Sequence, residues 1–370
     1  MDEPRAMPPA FASRAHAALL GALVVVFLAL PALLSSAGLY RRRDAYREMP
    51  IGVGGFRFIE KEALEERSDI DVLCVGASIL WFGVDAPTLR DELDRARSAR
   101  PADGSPKEPA RVLSFGYSHA GADVSFAMLR DVLERRKVRT VVATMPHVDE
   151  VGDAPHTYAY HFLPWEPDLR RGLSARHQIV LYAESVLGAP RHLLSLLRPN
   201  ADAVHPVAAS LGSHREDHGF HGAAFDPPPF EPPRFSADEL VYGPGSADRF
   251  AFAGRPLSDY QAHFVRRIAE ITCEHGARLV VIRVPWWSDR RRPVVDERLD
   301  WSRELGDDVA MVGVPPARLY AGLSEDDVKR LYFDEHLNMA GARFFTRAVA
   351  PAIVAIDERG ARPGKEEHAH

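Results

Sequence analysis

Asp71-Val72-Leu73-Cys74-Val75-Gly76-Ala77-Ser78 is the stretch on which the fold turns. Its unbroken apolar run, bounded by β-branched residues, reads as a strand buried on both faces, as in parallel sheets. Gly76 permits a tight exit, and Ser78 then falls at a strand-to-helix turn ahead of Ile79-Leu80-Trp81-Phe82-Gly83. Working outward, the next helix is expected from Asp85-Ala86-Pro87, where Asp85 can N-cap and Pro87 suits the first turn. After a hydrophilic loop with Pro101, Gly104 and Pro106, a second strand is expected at 111–116. A helix over 123–137 carries Phe126, Leu129 and Leu133 on one face, and a third strand follows at 139–145. This alternation predicts an α/β domain over 70–357.

The rhythm breaks and then resumes. A helix is expected over 177–197, and Asp226-Pro227-Pro228-Pro229-Phe230-Glu231-Pro232-Pro233 marks a Pro-rich insertion at about 200–240, read as lying over the sheet edge. Beyond it come a helix at 257–275, strands at 278–284 and 309–314 with a helix at 294–305 between them, and a final helix over 339–356. That last helix carries Phe344, Phe345, Val349 and Ile353 on its buried side.

The chain has 370 residues, 46% apolar and 26% charged, with a formal net charge of -6. No basic excess exists to neutralise phosphates, which argues against nucleic-acid binding. Cys74 and Cys273 both read as small core hydrophobes, so neither a disulfide nor a thiolate metal site is expected. His205, His214, His218 and His221 crowd the insertion without ligand spacing, and no metal is expected there either.

Residues 17–40 carry no charge and include Leu19-Leu20-Gly21-Ala22-Leu23-Val24-Val25-Val26-Phe27. As a helix this run spans about 36 Å, enough to cross a hydrocarbon layer. It reads as a single-pass anchor in membrane lipid, between a disordered tail at 1–16 and a juxtamembrane linker at 41–69; a second disordered tail is expected at 358–370. The alternative is a cleaved signal peptide, with Ser35-Ser36-Ala37 as the cleavage zone. Arg41, Arg42, Arg43 and Arg47 follow the span and only Arg5 and Arg14 precede it, which taken literally places the domain in the cytoplasm.

Ligands of open parallel sheets bind at the carboxyl ends of the strands. Ser78 leaves the first of these, where backbone N–H groups suit a nucleophile whose product is an oxyanion. Near the other end of the chain, Tyr332-Phe333-Asp334-Glu335-His336-Leu337-Asn338-Met339-Ala340-Gly341 opens the last helix. In extended backbone Asp334 and His336 project to one side, so the carboxylate can orient the imidazole, while Asn338 is a natural N-cap. The bland alternative makes both polar loop residues beside a helix start. Pro285-Trp286-Trp287 leaves the fourth strand, where indole faces can stack on a sugar or simply pack.

These two blocks together resemble the SGNH (GDSL-like) hydrolase superfamily, over roughly 70–145 and 278–356. The resemblance implies a three-layer, flavodoxin-like sandwich with a mostly parallel sheet of about five strands. It also implies Ser78 as nucleophile, His336 as its base and Asp334 as the orienting acid, with no cofactor. The oxyanion donors would be Ser78 and Gly121, or alternatively Gly116. Two departures stand out. Asp334 lies two residues before His336 rather than three, as in membrane-associated polysaccharide O-acetyltransferases such as the alginate system, although those order the blocks differently. The family's Gly-x-Asn-Asp is replaced by Met145-Pro146-His147-Val148-Asp149. His147 is a candidate substitute donor, and the loss of one donor is worth on the order of two to three decades in rate. The expected function is acyl transfer from an ester to water or a glycan hydroxyl on exported or envelope polysaccharide. Polysaccharide-export proteins are the expected partners, and the domain is expected outside the cytoplasm. The alternative is a non-catalytic glycan-binding or scaffolding subunit of a polysaccharide assembly.

Overall fold

The computed structural model of the chain describes residues 13–49, 54–99, 108–119, 121–144, 154–196, 230–242, 258–291, 305 and 309–360. The uncharged run becomes helix α1 (Arg14–Ser36), N-capped by Ser13. It is long and apolar enough to cross a membrane, and most of its side chains face outward from the protein. Helices α2 (Arg42–Arg47) and α3 (Phe56–Glu60) follow, the second continuing into one π-helical turn at Lys61–Glu65. Strand β1 (Ile70–Gly76) then leads into α4 (Ser78–Gly83) and α5 (Ala86–Ser98), where Asp85 accepts from the Thr88 N–H as the N-cap. Next come β2 (Val112–Gly116), α6 (Ala122–Leu133), β3 (Val138–Ala143) and α7 (Ala175–Leu196). Helix α8 (Ala237–Leu240) and β4 (Val241–Tyr242) precede α9 (Asp259–Glu274) and β5 (Arg278–Ile282). The chain finishes with β6 (Ala310–Val312), α10 (Pro316–Leu319), α11 (Glu325–Lys329), β7 (Tyr332–Phe333), β8 (His336–Leu337) and α12 (Met339–Gly360).

The main sheet has the order β2-β1-β3-β5-β6-β4. Its first five strands are parallel, and only the short β4 runs antiparallel at the edge. The α/β expectation thus holds as a five-strand parallel sheet with helices. Alternation along each strand feeds two apolar clusters: Leu73, Val75, Val141 and Val281 belong to one, Val72, Cys74, Val142 and Val280 to the other. Helices α6 and α9 pack together on the first cluster, α5 and α12 on the second. Phe345 and Ile353 of α12 are fully buried, each worth about 1.5–3 kcal/mol of burial relative to exposure. That burial explains why α12, although it passes the same length and composition test as α1, is a core helix.

Some expectations need correction. Residues 41–69 are no linker: Ala45, Tyr46, Phe56, Ile59 and Ala63 are buried in the same cluster as β1 and β2. Within it Arg42 is largely buried, paired with Asp131 and Glu166 at 2.7 Å each. Cys273 is exposed on α9, whereas Cys74 is fully buried and its thiol pushed up to about 12 by desolvation. Of the tails expected at 1–16 and 358–370, residues 13–16 instead begin α1 and 358–360 end α12, while 1–12 and 361–370, most of the Pro-rich insertion and the helix expected over 294–305 (Leu305 excepted) lie outside the described residues.

Candidate active site

Parallel packing puts the carboxyl ends of the strands on one edge, and the chain delivers its reactive groups there. Ala77 is extended and Ser78 opens α4, so the hydroxyl stands at the helix start, half-buried. From far down the chain, β7 and β8 form a two-stranded hairpin pairing Phe333 with His336, and α4 packs against β8. The Nε2 of His336 lies 3.0 Å from Ser78 Oγ. Desolvation holds the His336 imidazole below its ordinary value of 6.5, with the charges of Asp334 and then Glu335 pulling it back up. The ring is therefore neutral at pH 7, and in the tautomer protonated on Nδ1 its Nε2 accepts the Ser78 hydroxyl hydrogen.

Asp334 departs from expectation. It occupies the left-handed region (φ 51°) at the first position of the hairpin's two-residue turn, so it does not share a face with His336 as it would in extended backbone. Among the described residues no hydrogen bond joins its carboxylate to the imidazole; it acts on the ring through charge. Aromatic rings hold His336 instead. Phe82 meets it edge-on at 5.2 Å, Phe333 stacks at 5.8 Å and Trp286 lies tilted at 6.0 Å. Phe82 and Phe333 escaped sequence reasoning, though Phe82 stands four residues after Ser78, the spacing that puts two side chains on one helix face.

The tryptophans separate. Trp286 borders His336, while Trp287 packs on Tyr332 at 5.3 Å beneath the Arg290 guanidinium at 3.4 Å. Asp289, itself held by Arg283 at 2.9 Å, accepts from the Trp286 N–H at 2.9 Å. Glu335 ties this turn to the hairpin: its backbone carbonyl accepts from Trp287 N–H at 3.1 Å and its carboxylate from Ser288 N–H at 3.0 Å. Asp289 and Glu335 thus hold the Trp286 turn against the hairpin, and no local pattern singles them out.

Gly116 sits beside Gly76 in the parallel register, and a Cβ there would lie 2.3 Å from the Trp81 ring, which accounts for glycine by packing. Gly121 stands at the start of α6 among Asp123 and His156, its carbonyl accepting from the Tyr117 hydroxyl at 2.5 Å. His147 lies outside the described residues.

Asn338 secures the helix behind the site, its Oδ1 accepting from Gly341 N–H at 3.0 Å. A Cβ on Gly341 would fall 2.0 Å from the Leu331 carbonyl oxygen, a backbone atom that cannot swing aside. Gly341→Ala is therefore expected to push the hairpin off α12, costing about 2–4 kcal/mol by overpacking and loss of the local hydrogen bonds. Chemical denaturation measures this, and a loss below ~1 kcal/mol would show that the hairpin yields freely. The chain matches no protein-family model, no curated protein and no solved structure.

Proposed function

We propose that the protein is a serine acyl-ester hydrolase or O-acyltransferase of the SGNH type, a three-layer α/β sandwich tethered by α1. The observation that carries this reading is the 3.0 Å contact between Ser78 Oγ and the Nε2 of His336, brought together from opposite ends of the domain at the carboxyl edge of the sheet. Ser78 Oγ attacks the ester carbonyl carbon while His336 takes its proton; the ester C–O bond then breaks, and His336 returns the proton to the leaving oxygen. Water or a glycan hydroxyl then attacks the acyl carbon and gives its proton to His336; the bond from that carbon to Ser78 Oγ breaks, and His336 passes the proton to Oγ, restoring the Ser78 hydroxyl. The backbone N–H groups of Ser78 and Gly121 are the proposed oxyanion donors. Trp286 offers a face for a sugar ring, and the role in envelope or exported polysaccharide, with the domain outside the cytoplasm and export proteins as partners, follows from the family resemblance together with the α1 anchor.

A second reading, a non-catalytic glycan-binding or scaffolding subunit, draws support from the turn that keeps Asp334 from hydrogen-bonding the imidazole. A fluorophosphonate probe separates the two. It is expected to label the full-length protein on Ser78 and to leave Ser78→Ala unlabelled. A folded wild-type protein that takes up no label overturns the enzyme and leaves the scaffold.

A further inference from the structure

Helix α7 turns an apolar stripe outward. Ile179, Val180, Leu187 and Leu194 are 70%, 48%, 53% and 61% exposed, and helical spacing gathers them with Ala183 on one face. Arg176 and Arg191 lie on that same side, near the two ends of the stripe. The opposite side is spoken for: Ser185, Gly188, Ala189 and His192 line a small cavity shared with Pro31 and Leu34 of α1. His192 fastens this side further, its Nε2 donating to the Leu39 carbonyl at 2.7 Å and its Nδ1 meeting Glu48.

The level at which the two helices touch decides what covers the stripe. The Tyr182 hydroxyl donates to the Leu28 carbonyl. Leu28 stands eight residues before the end of α1, about 12 Å along the axis at 1.5 Å per residue. All 23 residues of α1 span only about 35 Å, against a hydrocarbon layer of about 30 Å. No more than about 5 Å of α1 can stand clear of the layer, so if α1 crosses it, Leu28 and the part of α7 beside it lie inside one leaflet.

We propose that α7 is a second membrane element, an amphipathic helix set into one leaflet beside α1, with lipid acyl chains covering Ile179, Val180, Leu187 and Leu194. This rests on reading α1 as a membrane span. Tyr182 at the level of Leu28 and His192 at that of Leu39 set α7 alongside α1, so its His192 end stands at the headgroup level and the part at 179–182 lies deeper in the same leaflet. Arg191, at the shallow end of the stripe beside His192, can reach headgroup phosphates while its stem stays apolar. Two membrane contacts, clamped to the domain through His192 and Glu48, fix how the Ser78 edge faces the surface.

The test uses the full-length protein carrying Cys273→Ser, with a single fluorescent label at Leu187→Cys, Val25→Cys or Arg90→Cys. Each is reconstituted in phosphatidylcholine–phosphatidylglycerol vesicles containing spin-labelled lipids. The label at 187 is expected to shift to the blue and to be quenched several-fold more than the label at 90, most strongly by quenchers near the headgroup end of the chain. The label at 25 should respond best to deep quenchers. If 187 behaves like 90 while 25 is quenched, α7 lies in water and the inference falls with the anchor intact. If 25 also behaves like 90, the anchor falls too. Disulfide-linked dimers of the unlabelled Leu187→Cys protein under mild oxidation, with no lipid quenching of its labelled form, would make a second copy the occupant, which also overturns it.

Discussion

His336→Ala is expected to lower acyl-ester turnover by about 10⁴-fold or more with KM little changed, because the proton relay acts in the transition state and not on bound substrate. The pH profile gives the same residue a second signature. Desolvation keeps His336 below its ordinary value of 6.5, so the wild-type kcat/KM should rise with pH through an apparent value under 6.5 and level off above it. The alanine variant should lose that acidic limb. Asp334→Asn provides the contrast. Its charge raises the His336 value without hydrogen-bonding the ring, so its removal should move the limb to lower pH and cost no more than about tenfold in rate. Kinetics of the three proteins between pH 5 and 8 on a soluble acetyl ester check all of this. An Asp334→Asn enzyme as inactive as His336→Ala would mean that the carboxylate holds the imidazole after all.

Why the sequence points to the Ser78–His336 contact and misses its setting comes down to range. The run from Val72 to Gly76 is apolar on both faces, which only a covered parallel sheet accommodates, and a parallel sheet brings every strand exit to one edge. That edge accounts for the place of Ser78, whereas pairing it with His336, 3.0 Å away, is what the resemblance of the two blocks implies. The hairpin follows from neither. Its strands are two residues each, and its turn Asp334-Glu335 lacks the glycine that ordinarily marks positive φ, so the segment read as extended and Asp334 was put on the wrong side. The burial of Arg42 is hidden for a related reason. Helices α2 and α3 have six and five residues, too few for a period to declare a buried face. Nothing local to Arg42 says that carboxylates from α6 and from the turn near Phe162 will close around it.

That closure makes Arg42 the residue whose loss should cost the most stability. Its side chain is 12% exposed between Asp131 at 3% and Glu166 at 1%, with Nη2 also donating to the Ala127 carbonyl at 3.1 Å and the Phe162 ring 4.8 Å away. Arg42→Met keeps most of the volume but removes the cation shared by both carboxylates, leaving Glu166 with Arg130 at 2.8 Å and Asp131 with the Tyr46 hydroxyl at 2.5 Å, an expected loss of about 3 kcal/mol. Burial pushes Glu166 up to about 7 even with Arg42 and Arg130 opposing it, and Asp131 adds repulsion. Without Arg42 it rises further. A carboxyl whose folded-state value lies above its unfolded 4.5 favours the native state when protonated and penalises it as pH climbs toward the folded value. The variant should accordingly be least impaired near pH 5 and most impaired near pH 8, and Asp131→Asn with Glu166→Gln in the same chain should recover much of the loss by removing the stranded charge. Urea unfolding of the detergent-solubilised protein at both pH values reads this directly. A cost under ~1 kcal/mol, or one that ignores pH, would mean that the carboxylates find other partners and that Arg42 serves only the membrane boundary. The geometry argues otherwise for Asp131 above all, since Arg135 reaches it only at 3.7 Å from a more exposed position, while Glu166 keeps Arg130 as its one remaining cation at 2.8 Å among the described residues.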